Sequence, residues 1–533
     1  HGRPLQVLLV QARPEGHHVG GQGTAPPLGL LSLAAYARAA LPGEVSFRLV
    51  DGYFLSDQEI LDEAGRMDPG IIALSGLTTA HRRLRCLSGL LSAAQDDAVV
   101  LLGGPHATAY PEACLGYPGV HGVIPGEGER PFTDFLEYRL GRRPVAAVRG
   151  LLRSVGGNTA SGPSSPPIDD LDALPDPALD LLDLDAYSVV PNDLATIVLP
   201  PHRYLPLFTS RGCPFGCTFC HDIFGRRFRG QSPARVMDHV ERISERYAVR
   251  DIHIYDDLFN GQKGRLLDFA MEAMRRDAGV RFWFSNGLRA DTLDREQLEA
   301  MAAAGVVYFG AAIESASPRM QRITRKRMDV LRLLENVAIA DEVGIFTTGF
   351  LMLGVPGETR EEMDLTIETA AASALHYAYF SVLNPYGGTD IGRAARAAGE
   401  DVSPDRMPGG YSSSGANAAG IPEAEFRGIL RRAYRRFWTP RRILAFAARH
   451  PEPGGLAMAL GTPRTLGNLL RRVGAVLGSE QAVHDVPWTR PLVLPASAEA
   501  LLRRVGAGGA CGARLLHRRA PPISGPLRER LLP

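Results

Sequence analysis

Three cysteines, Cys213, Cys217 and Cys220, lie within eight residues in the run Arg-Gly-Cys-Pro-Phe-Gly-Cys-Thr-Phe-Cys. Their spacing is C-x3-C-x2-C. Cysteine thiolates are the usual ligands of iron–sulfur clusters, and a 4Fe–4S cluster normally takes four of them. Because no fourth cysteine is nearby in the sequence, the motif predicts a cluster in which one iron keeps an open site for a small molecule.

Two other uses of these cysteines fit the sequence less well. His221 follows Cys220 directly and could complete a Cys3His zinc site, but structural zinc ligands usually come as two separated pairs. We expect no signal peptide, and six cysteines in 533 residues are sparse for a disulfide framework. Cys86, Cys114 and Cys511 are isolated in the sequence and are interpreted as ordinary thiols.

The cysteine motif closely resembles that of the radical S-adenosylmethionine (SAM) enzymes. That family typically carries an aromatic residue directly before the third cysteine, and Phe219 occupies this place here. The resemblance implies that the open iron of a 4Fe–4S cluster binds SAM and that Phe219 lies near the adenine.

Composition limits the remaining function classes. The length of 533 residues suggests three or four domains at about 150 residues each. A hydrophobic content of 45% is ample for packed cores, and no apolar run is long enough to span a bilayer. The net charge of +1 does not indicate a nucleic-acid partner. A cytoplasmic protein is expected, because a cluster with an open iron is sensitive to oxygen.

Residues 1–150 alternate short apolar runs with helical stretches, which predicts a doubly wound, Rossmann-like parallel sheet with ligands at the carboxyl ends of its strands. The expected elements are strands at Leu5–Val10, Val45–Val50, Ile71–Leu74, Val99–Leu102 and Gly122–Ile124, and a helix at Leu30–Ala40. Residues 151–200 are rich in Ser, Gly and Pro and then acidic, so they are interpreted as a linker.

Residues 201–400 repeat the strand–helix pattern with longer units, and the resemblance implies a partial (β/α)6 barrel. The expected strands are Leu205–Ser210, Ile252–Tyr255, Phe282–Ser285, Tyr308–Ile313, Thr347–Leu353 and Tyr379–Leu383. Catalytic groups in such barrels gather at the carboxyl-terminal ends of the strands. Residues 401–533 are rich in Arg and Ala and are expected to form a mostly helical C-terminal domain.

The N-terminal domain resembles cobalamin-binding domains at three places. The run Glu15-Gly-His17-His18-Val19-Gly20 is a near match to D-x-H-x-x-G, with Glu replacing Asp. Ser75-Gly76-Leu77 matches S-x-L, and Gly103-Gly104 follows after the usual interval. The resemblance implies that Ser75 donates to the benzimidazole nitrogen and that small residues admit the nucleotide tail. His17 is either the cobalt ligand or, because the Asp that would orient it is replaced, a solvent-facing loop histidine.

Further segments resemble the cobalamin-dependent radical SAM class, so that the resemblance covers about residues 5–400. They are Pro26–Leu30, Gly103–Thr108 and the run Gly126-Glu127-Gly128-Glu129, of which Gly126 and Glu127 are predicted cofactor contacts. A generic nucleotide-binding domain is the alternative, but neither G-x-G-x-x-G with an acidic partner nor a G-K-[ST] loop is present. The predicted domains are 1–150 for cobalamin, a linker at 151–200, the barrel at 201–400 and a helical domain at 401–533.

Several residues at the predicted strand ends are assigned to SAM by the resemblance. Tyr255 and Asp256 are assigned to the methionyl amino group. Ser285, Asn286 and Arg289 are assigned to the ribose and carboxylate.

The next two barrel strands complete the predicted SAM site. Glu314 is assigned to the ribose or amino group, and Gly354 lets the adenine approach the backbone. Simpler roles stay open, because Asp256 and Asp257 could cap a helix and Glu314 could pair with a barrel arginine.

Phe426–His450 carries eight arginines among aliphatic and aromatic residues. Such a helix can lie on a membrane surface, or its long arginines can cover apolar surface as a cap on the barrel mouth. We favour a helix that caps the barrel mouth over a helix that associates with a membrane.

The resemblance implies a cobalamin-dependent radical SAM methyltransferase. In this hypothesis a 5′-deoxyadenosyl radical activates an unreactive carbon of a small-molecule substrate in natural-product biosynthesis, and methylcobalamin supplies the methyl group. An oxidative cyclase or rearrangement enzyme is the alternative, and a non-catalytic cobalamin or iron–sulfur sensor is a third hypothesis. An external reductant such as a flavodoxin or ferredoxin is implied as a partner.

Overall fold

A computed structural model describes residues 3–14, 25–188, 203–262, 264–406, 418–439, 442 and 525–531. The loop of His17, Cys511 and most of the predicted C-terminal helical domain lie outside these residues. The chain divides into two compact units. The first comprises His1–Val190, Leu205–Arg265 and Asn384–Gly415, and the second comprises Pro191–Tyr204, Leu266–Leu383 and Ala416–Pro533.

A seven-stranded sheet forms the core of the N-terminal part of the first unit, in the order β2-β1-β3-β4-β5-β6-β7. Strands β1 to β5 are parallel, whereas β6 and β7 are antiparallel additions at one edge. The strands are β1 (Leu5–Gln11), β2 (Val45–Asp51), β3 (Ile71–Ser75), β4 (Val99–Gly103), β5 (Gly122–Ile124), β6 (Leu152–Val155) and β7 (Asn158–Ser161). The strand order reverses between β1 and β3, because the chain adds strands first on one side of β1 and then on the other. Ligands bind at this switch point in doubly wound folds.

Helices pack against the sheet, and this packing explains why the strand sequences are continuously apolar. They are α1 (Leu28–Ala40), α2 (Asp57–Met67), α3 (His81–Ala94), α4 (Gly104–Ala109), α5 (Pro111–Leu115), α6 (Glu129–Arg139) and α7 (Leu184–Ser188). Strands that are buried on both faces have continuous apolar sequences, and all four residues from Val7 to Val10 are fully buried. The five predicted strands and the first predicted helix are therefore confirmed to within two residues at each end.

The segment predicted as a linker from residue 151 begins with a hairpin instead. Strands β6 and β7 flank Gly156 and Gly157, whose φ angles of 57° and 80° suit a two-residue turn that needs positive φ at both positions. This turn folds the start of the segment onto the edge of the sheet, next to β5.

A second sheet has six strands in the order β15-β14-β13-β12-β11-β8, and two short strands, β9 and β10, pair separately. The strands are β8 (Tyr204–Leu207), β9 (Ser210–Arg211), β10 (Arg229–Gly230), β11 (Asp251–Ile254), β12 (Arg281–Leu288), β13 (Val306–Glu314), β14 (Phe346–Leu353) and β15 (Tyr377–Val382). The pairs from β12 to β15 are parallel. All six predicted barrel strands are present, but the first ends at Leu207 and the third continues beyond Ser285 to Leu288.

The strands of the second sheet alternate with helices, which is the repeating unit of a partial (β/α) barrel. The helices are α8 (Pro233–Tyr247), α9 (Arg265–Arg276), α10 (Arg295–Ala303), α11 (Pro318–Ile323), α12 (Val330–Glu342), α13 (Arg360–Ala372), α14 (Asp390–Ala397), α15 (Glu423–Phe437) and α16 (Gly525–Leu531). Capping residues mark where these helices begin. In α13, for example, Thr359 and Glu362 form a capping box.

Helix α15 buries its apolar side against its own unit. Phe426, Ile429, Ala433 and Phe437 are buried, and the helix contacts α13 and β15. A helix lying on a membrane surface would keep this side exposed, so the structure favours a packing role for residues 423–437. Among the described residues, no helix has both the length and the hydropathy needed to cross a membrane.

Candidate active site

The cysteine motif lies on a loop that a short pair of strands closes at its base. Strands β9 and β10 are antiparallel, with Arg211 opposite Arg229, so residues 212–228 form one closed loop, here called the cysteine loop. It follows β8, as expected for the first strand of the barrel. At the start of the loop Gly212 has a φ of +84°, and a Cβ there would lie 2.3 Å from the carbonyl oxygen of Arg227. Only glycine fits this approach of two backbone segments.

The three cysteines are spread over the cysteine loop. The backbone N–H of Cys213 donates to the carbonyl of Gly225 at 3.2 Å, and the N–H of Cys220 donates to the carbonyl of Cys217 at 3.2 Å. Cys217 is buried, whereas Cys213, Cys220 and Phe219 are half-buried. Three thiols on one closed loop are a suitable donor set for a cluster with three protein ligands.

Among the described residues, no group of three His, Cys, Asp or Glu side chains is placed to hold a metal ion. The cysteines are assigned to the cluster by their motif, and this assignment stays a prediction.

Asp256, predicted to contact SAM, anchors the start of the cysteine loop. Its carboxylate accepts the backbone N–H and the hydroxyl of Thr209 and the hydroxyl of Ser210, each at 2.6 Å. Burial raises the pKa of Asp256, and these hydrogen bonds oppose that shift. Tyr255 donates its backbone N–H to the carbonyl of Leu207 at 2.8 Å. Asp256 therefore has a structural role, and its predicted contact with SAM stays a prediction.

The predicted cobalamin contacts gather at the carboxyl edge of the first sheet. Ser75 is in register with Gly103 at the ends of β3 and β4. Gly104 has a φ of +81°, and a Cβ there would lie 2.3 Å from the hydroxyl of Ser75. Gly76 is confined in the same way by Leu84, 3.2 Å from the position of a Cβ. Glycine at these two positions thus allows the backbone to pack closely against the hydroxyl of Ser75 and the side chain of Leu84.

The other predicted cobalamin contacts include Leu77, Gly126 and His17. The side chain of Leu77 is 41% exposed. Gly126 donates its N–H to the hydroxyl of Thr108 at 2.9 Å. The contacts of Ser75 and Leu77 with the nucleotide tail of cobalamin stay predictions. His17 lies outside the described residues, so its role as a cobalt ligand stays a prediction.

Glu127, whose predicted contact with a cofactor stays a prediction, binds the two arginines that flank the cysteine loop. Its carboxylate accepts hydrogen bonds from Arg211 at 2.9 Å and from both terminal nitrogens of Arg229. Neither arginine is among the residues predicted from the sequence to form the site. Arg211 directly precedes the Gly-Cys of the motif, which could have drawn attention to it, but its partner lies 84 residues away in the sequence.

The second unit carries the predicted SAM contacts of the later strands. Between Phe284 and Leu288 the register of β12 against β13 shifts, so Ser285 and Asn286 lie in a bulge within the strand and not at its end. Asn286 is exposed. Bulges often redirect side chains next to active sites.

Arg289 is engaged by its own unit. Its guanidinium donates to both carboxylate oxygens of Asp291, at 3.1 and 2.8 Å, and to the carbonyls of Lys326 and Arg327. These bonds fix the turn at Arg327, which has a φ of +48°. The predicted contact between Arg289 and SAM is untested, and it would have to compete with these partners.

Glu314 and Gly354 end their strands in unusual backbone conformations. Glu314 has a φ of +62°, which is uncommon for a residue with a side chain, and its carboxylate pairs with Lys326 at 3.3 Å. The predicted alternative was an ion pair between Glu314 and a barrel arginine. Glu314 does form an ion pair, but its partner is a lysine. Gly354 has a φ of +86°, and its N–H donates to Glu358 at 2.8 Å. Glu358 is not among the residues predicted from the sequence to form the site.

Two families match the chain. Residues 207–370 match the radical SAM superfamily, and residues 21–136 match the B12 binding domain. The first match contains the cysteine loop and strands β9 to β14, and the second contains Ser75, Gly103 and Gly126.

Curated relatives cover most of the chain. An "uncharacterized methyltransferase" of Pyrococcus horikoshii is 30% identical over 73% of this chain and 82% of its own length. The cytidylyl-2-hydroxyethylphosphonate methyltransferase of Streptomyces wedmorensis is 27% identical over 74% of this chain and 79% of its own. The anaerobic magnesium-protoporphyrin IX monomethyl ester cyclase of Rubrivivax gelatinosus is 25% identical over 73% and 69%.

A solved structure shares the fold. The cobalamin-dependent SAM radical enzyme OxsB, with aqua-cobalamin and SAM bound, superposes with a TM-score of 0.65 at 16% identity, over 99% of this chain and 83% of that one. Together with the two matched families and the relative at 30% identity, this shows that the chain belongs to the cobalamin-dependent radical SAM enzymes. Its cofactors are a 4Fe–4S cluster, SAM and cobalamin.

Proposed function

We propose that this enzyme transfers a methyl group from cobalamin to an unactivated carbon of a small molecule. The observation that carries the proposal is that the cysteine loop and the cobalamin edge belong to one compact unit and are joined directly through Glu127. When bound, the cluster and SAM supply a 5′-deoxyadenosyl radical and cobalamin supplies the methyl group. The protein's own contribution is to hold these groups in place and to exclude water and oxygen.

Named residues of the first unit would perform this positioning. Cys213, Cys217 and Cys220 would bind the cluster through their thiolates. Ser75 would donate its hydroxyl to the cobalamin tail, beside the glycines of the same edge. Asp256 fixes the strand that leads into the cysteine loop, through three hydrogen bonds of 2.6 Å.

The second unit would contribute to SAM recognition. Glu314 would accept a hydrogen bond from the ribose or the amino group, and Gly354 would let the adenine approach the backbone. A strained backbone at Glu314, with its positive φ, is of the kind found at ligand sites. The resemblance to radical SAM enzymes also assigns three further residues to SAM, and these contacts stay predictions: Phe219, Ser285 and Asn286.

The relatives support a small-molecule substrate and methyl transfer. Two of them are named as methyltransferases, and one of these acts on a cytidylyl phosphonate by its name. An external one-electron donor, a flavodoxin or ferredoxin, would reduce the cluster, and the oxygen sensitivity of such a cluster supports a cytoplasmic location. The domain limits of 150, 200 and 400 also stay predictions.

The test is anaerobic turnover of the full chain. Protein reconstituted with iron, sulfide and hydroxocobalamin is incubated with SAM, a low-potential reductant and a panel of small-molecule substrates. We expect 5′-deoxyadenosine and S-adenosylhomocysteine to form together, with a product heavier by one methylene group. A substrate that gives 5′-deoxyadenosine but neither S-adenosylhomocysteine nor this mass increase would contradict methyl transfer.

A cyclase is the second candidate. The Rubrivivax gelatinosus relative, 25% identical over 73% of this chain, is named as an anaerobic cyclase. In the same experiment a cyclase would give 5′-deoxyadenosine with a product that gains no methylene group. The mass of the product therefore separates the two candidates.

A further inference from the structure

Four buried charged residues join the cobalamin edge to the base of the cysteine loop. We call this group, which consists of Glu127, Glu129, Arg211 and Arg229, the base clamp. Glu127 lies in the loop after β5, and Glu129 is the first residue of α6. Arg211 and Arg229 are the opposed residues of β9 and β10, so one arginine stands at each end of the cysteine loop.

Each arginine of the base clamp has several partners. Arg211 donates to Glu127 at 2.9 Å and to Glu129 at 2.5 Å. Arg229 donates to Glu127, to the carbonyl of Ile168 at 2.6 Å and to the carbonyl of Phe224 at 2.9 Å. Phe224 belongs to the cysteine loop, and its ring also lies 5.3 Å from the guanidinium of Arg211. The clamp thus holds both ends of the loop and one side chain within it.

Burial makes the base clamp sensitive to the loss of any partner. The four side chains are between 3% and 9% exposed, and two carboxylates balance two guanidinium groups. A buried charge left without its partner is strongly unfavourable. Ser32 on α1 completes the group, since it donates its hydroxyl to Glu129 at 2.7 Å.

We propose that Glu127 and Glu129 are positioning residues for the iron–sulfur cluster. The cobalamin-binding domain, through these carboxylates, holds the two ends of the cysteine loop and thereby sets where the loop presents its thiolates. The proposal rests on the proposed function for the nature of the two cofactors. It makes the order of the cysteine loop depend on two residues that are 84 and 82 positions away from Arg211 in the sequence.

The test compares Glu127→Gln and Arg229→Lys with the unaltered enzyme. Arg227→Lys is the matched control, because Arg227 lies in the cysteine loop, is 64% exposed and pairs with Asp169 outside the base clamp. Hydrogen–deuterium exchange is measured on full-length protein for peptides from the cysteine loop and, as an internal reference, for peptides from β1 to β4. The electron paramagnetic resonance spectrum of the reduced cluster is recorded with and without SAM.

We expect exchange in the cysteine loop to rise about tenfold in both clamp variants, with exchange in β1 to β4 unchanged. The SAM-dependent change of the cluster spectrum should weaken, and 5′-deoxyadenosine formation should fall about 10- to 100-fold, as is usual when a partner that orients a metal ligand is lost. Arg227→Lys should resemble the unaltered enzyme in every measurement.

Two outcomes would overturn the proposal. One is unchanged loop exchange and an unchanged cluster spectrum in the variants. The other is faster exchange throughout β1 to β4, which would make the base clamp a general support of the fold. If Glu127→Gln does not fold, Arg229→Lys, which keeps the charge and shortens the reach, decides the question by the same measurements. An unaltered protein that assembles no iron–sulfur cluster would instead contradict the proposed function, while the exchange of the cysteine loop would still test the clamp.

Discussion

The buried carboxylate of Glu358 accepts the backbone N–H of Gly354 at 2.8 Å, directly after β14. The same oxygen accepts the N–H of Val355 at 3.1 Å, whereas the second carboxylate oxygen is buried without a hydrogen-bond partner among the described residues. Burial raises the pKa of Glu358 to about 7, and the two backbone bonds oppose that shift. The loop predicted to receive the adenine is therefore held by a carboxyl group that is readily protonated.

This pKa determines how stability depends on pH. Because the pKa is higher in the folded protein than the ordinary value of 4.5, the folded state binds the proton more tightly. The contribution of Glu358 to stability is complete below pH 4.5 and is lost as the pH rises through about 7. The difference corresponds to about 3 kcal/mol, because each pKa unit is worth about 1.4 kcal/mol.

Glu358→Gln should remove this dependence. The amide oxygen can still accept the backbone N–H of Gly354, and the amide carries no charge at any pH. We expect the variant to gain stability relative to the unaltered protein as the pH rises from 4.5 to 7, measured by denaturant unfolding of the protein without cofactors. Glu361→Gln, at an exposed position in the next turn, is the control. A difference between Glu358→Gln and the unaltered protein that stays constant over this range would contradict the prediction.

Asp256→Asn should loosen the start of the cysteine loop. An amide offers one acceptor oxygen where the carboxylate of Asp256 now accepts three hydrogen bonds from Thr209 and Ser210. We expect a loss of about 2 to 3 kcal/mol in the free energy of unfolding, the usual cost of leaving buried polar groups unsatisfied. Denaturant unfolding measures it, and Asp268→Asn, at an exposed position on α9, should change little. Equal effects of the two variants would rule out the anchoring role of Asp256.

Cys217→Ala should abolish cluster assembly and with it the cleavage of SAM. The thiolate of Cys217 is one of only three ligands that the motif supplies, so its loss leaves two. Iron and sulfide content and 5′-deoxyadenosine formation measure the effect, and both should fall to background. Cys86→Ala is the matched control, because Cys86 lies exposed on α3 outside the cysteine loop. Retained 5′-deoxyadenosine formation in Cys217→Ala would show that the motif does not hold the cluster.

The sequence predicts the strands well because each buried strand is a short run of consecutive apolar residues. Runs such as Val7–Val10 are buried on both faces and admit few other interpretations. The bulge at Ser285 and Asn286 was not predicted, although Gly287, with a φ of +92°, is the kind of residue that marks one. The hairpin of β6 and β7 has a local signal too, in the Gly156-Gly157 turn.

The base clamp could not be predicted in this way. Arg211 and Glu127 are 84 residues apart in the sequence, and charged residues in loops usually indicate a solvated surface. Only the fold shows that they are buried together. The assignment of Glu127 to a cofactor stays a prediction, and it did not identify the arginine partners of the side chain.

Tyr434 of α15 protects the edge strand β15. Its hydroxyl accepts the backbone N–H of Phe380 at 3.2 Å and donates to the carbonyl of the same residue at 3.4 Å. Unpaired backbone groups at a sheet edge are a site for unwanted strand pairing, and one phenol hydroxyl here occupies both groups of one residue. Tyr434→Phe should therefore expose that part of the edge while it keeps the packing of the ring against Phe380.

We expect Tyr434→Phe to cost about 1 kcal/mol of stability, the usual net value of such hydrogen bonds, and to speed hydrogen–deuterium exchange in peptides that span β15. Tyr379→Phe is the control on the same strand. If the two variants exchange alike, α15 protects the strand through its apolar side alone. Faster exchange in Tyr434→Phe only would show that the arginine-rich helix also completes the hydrogen bonding of the edge strand, a role that a helix lying on a membrane could not have.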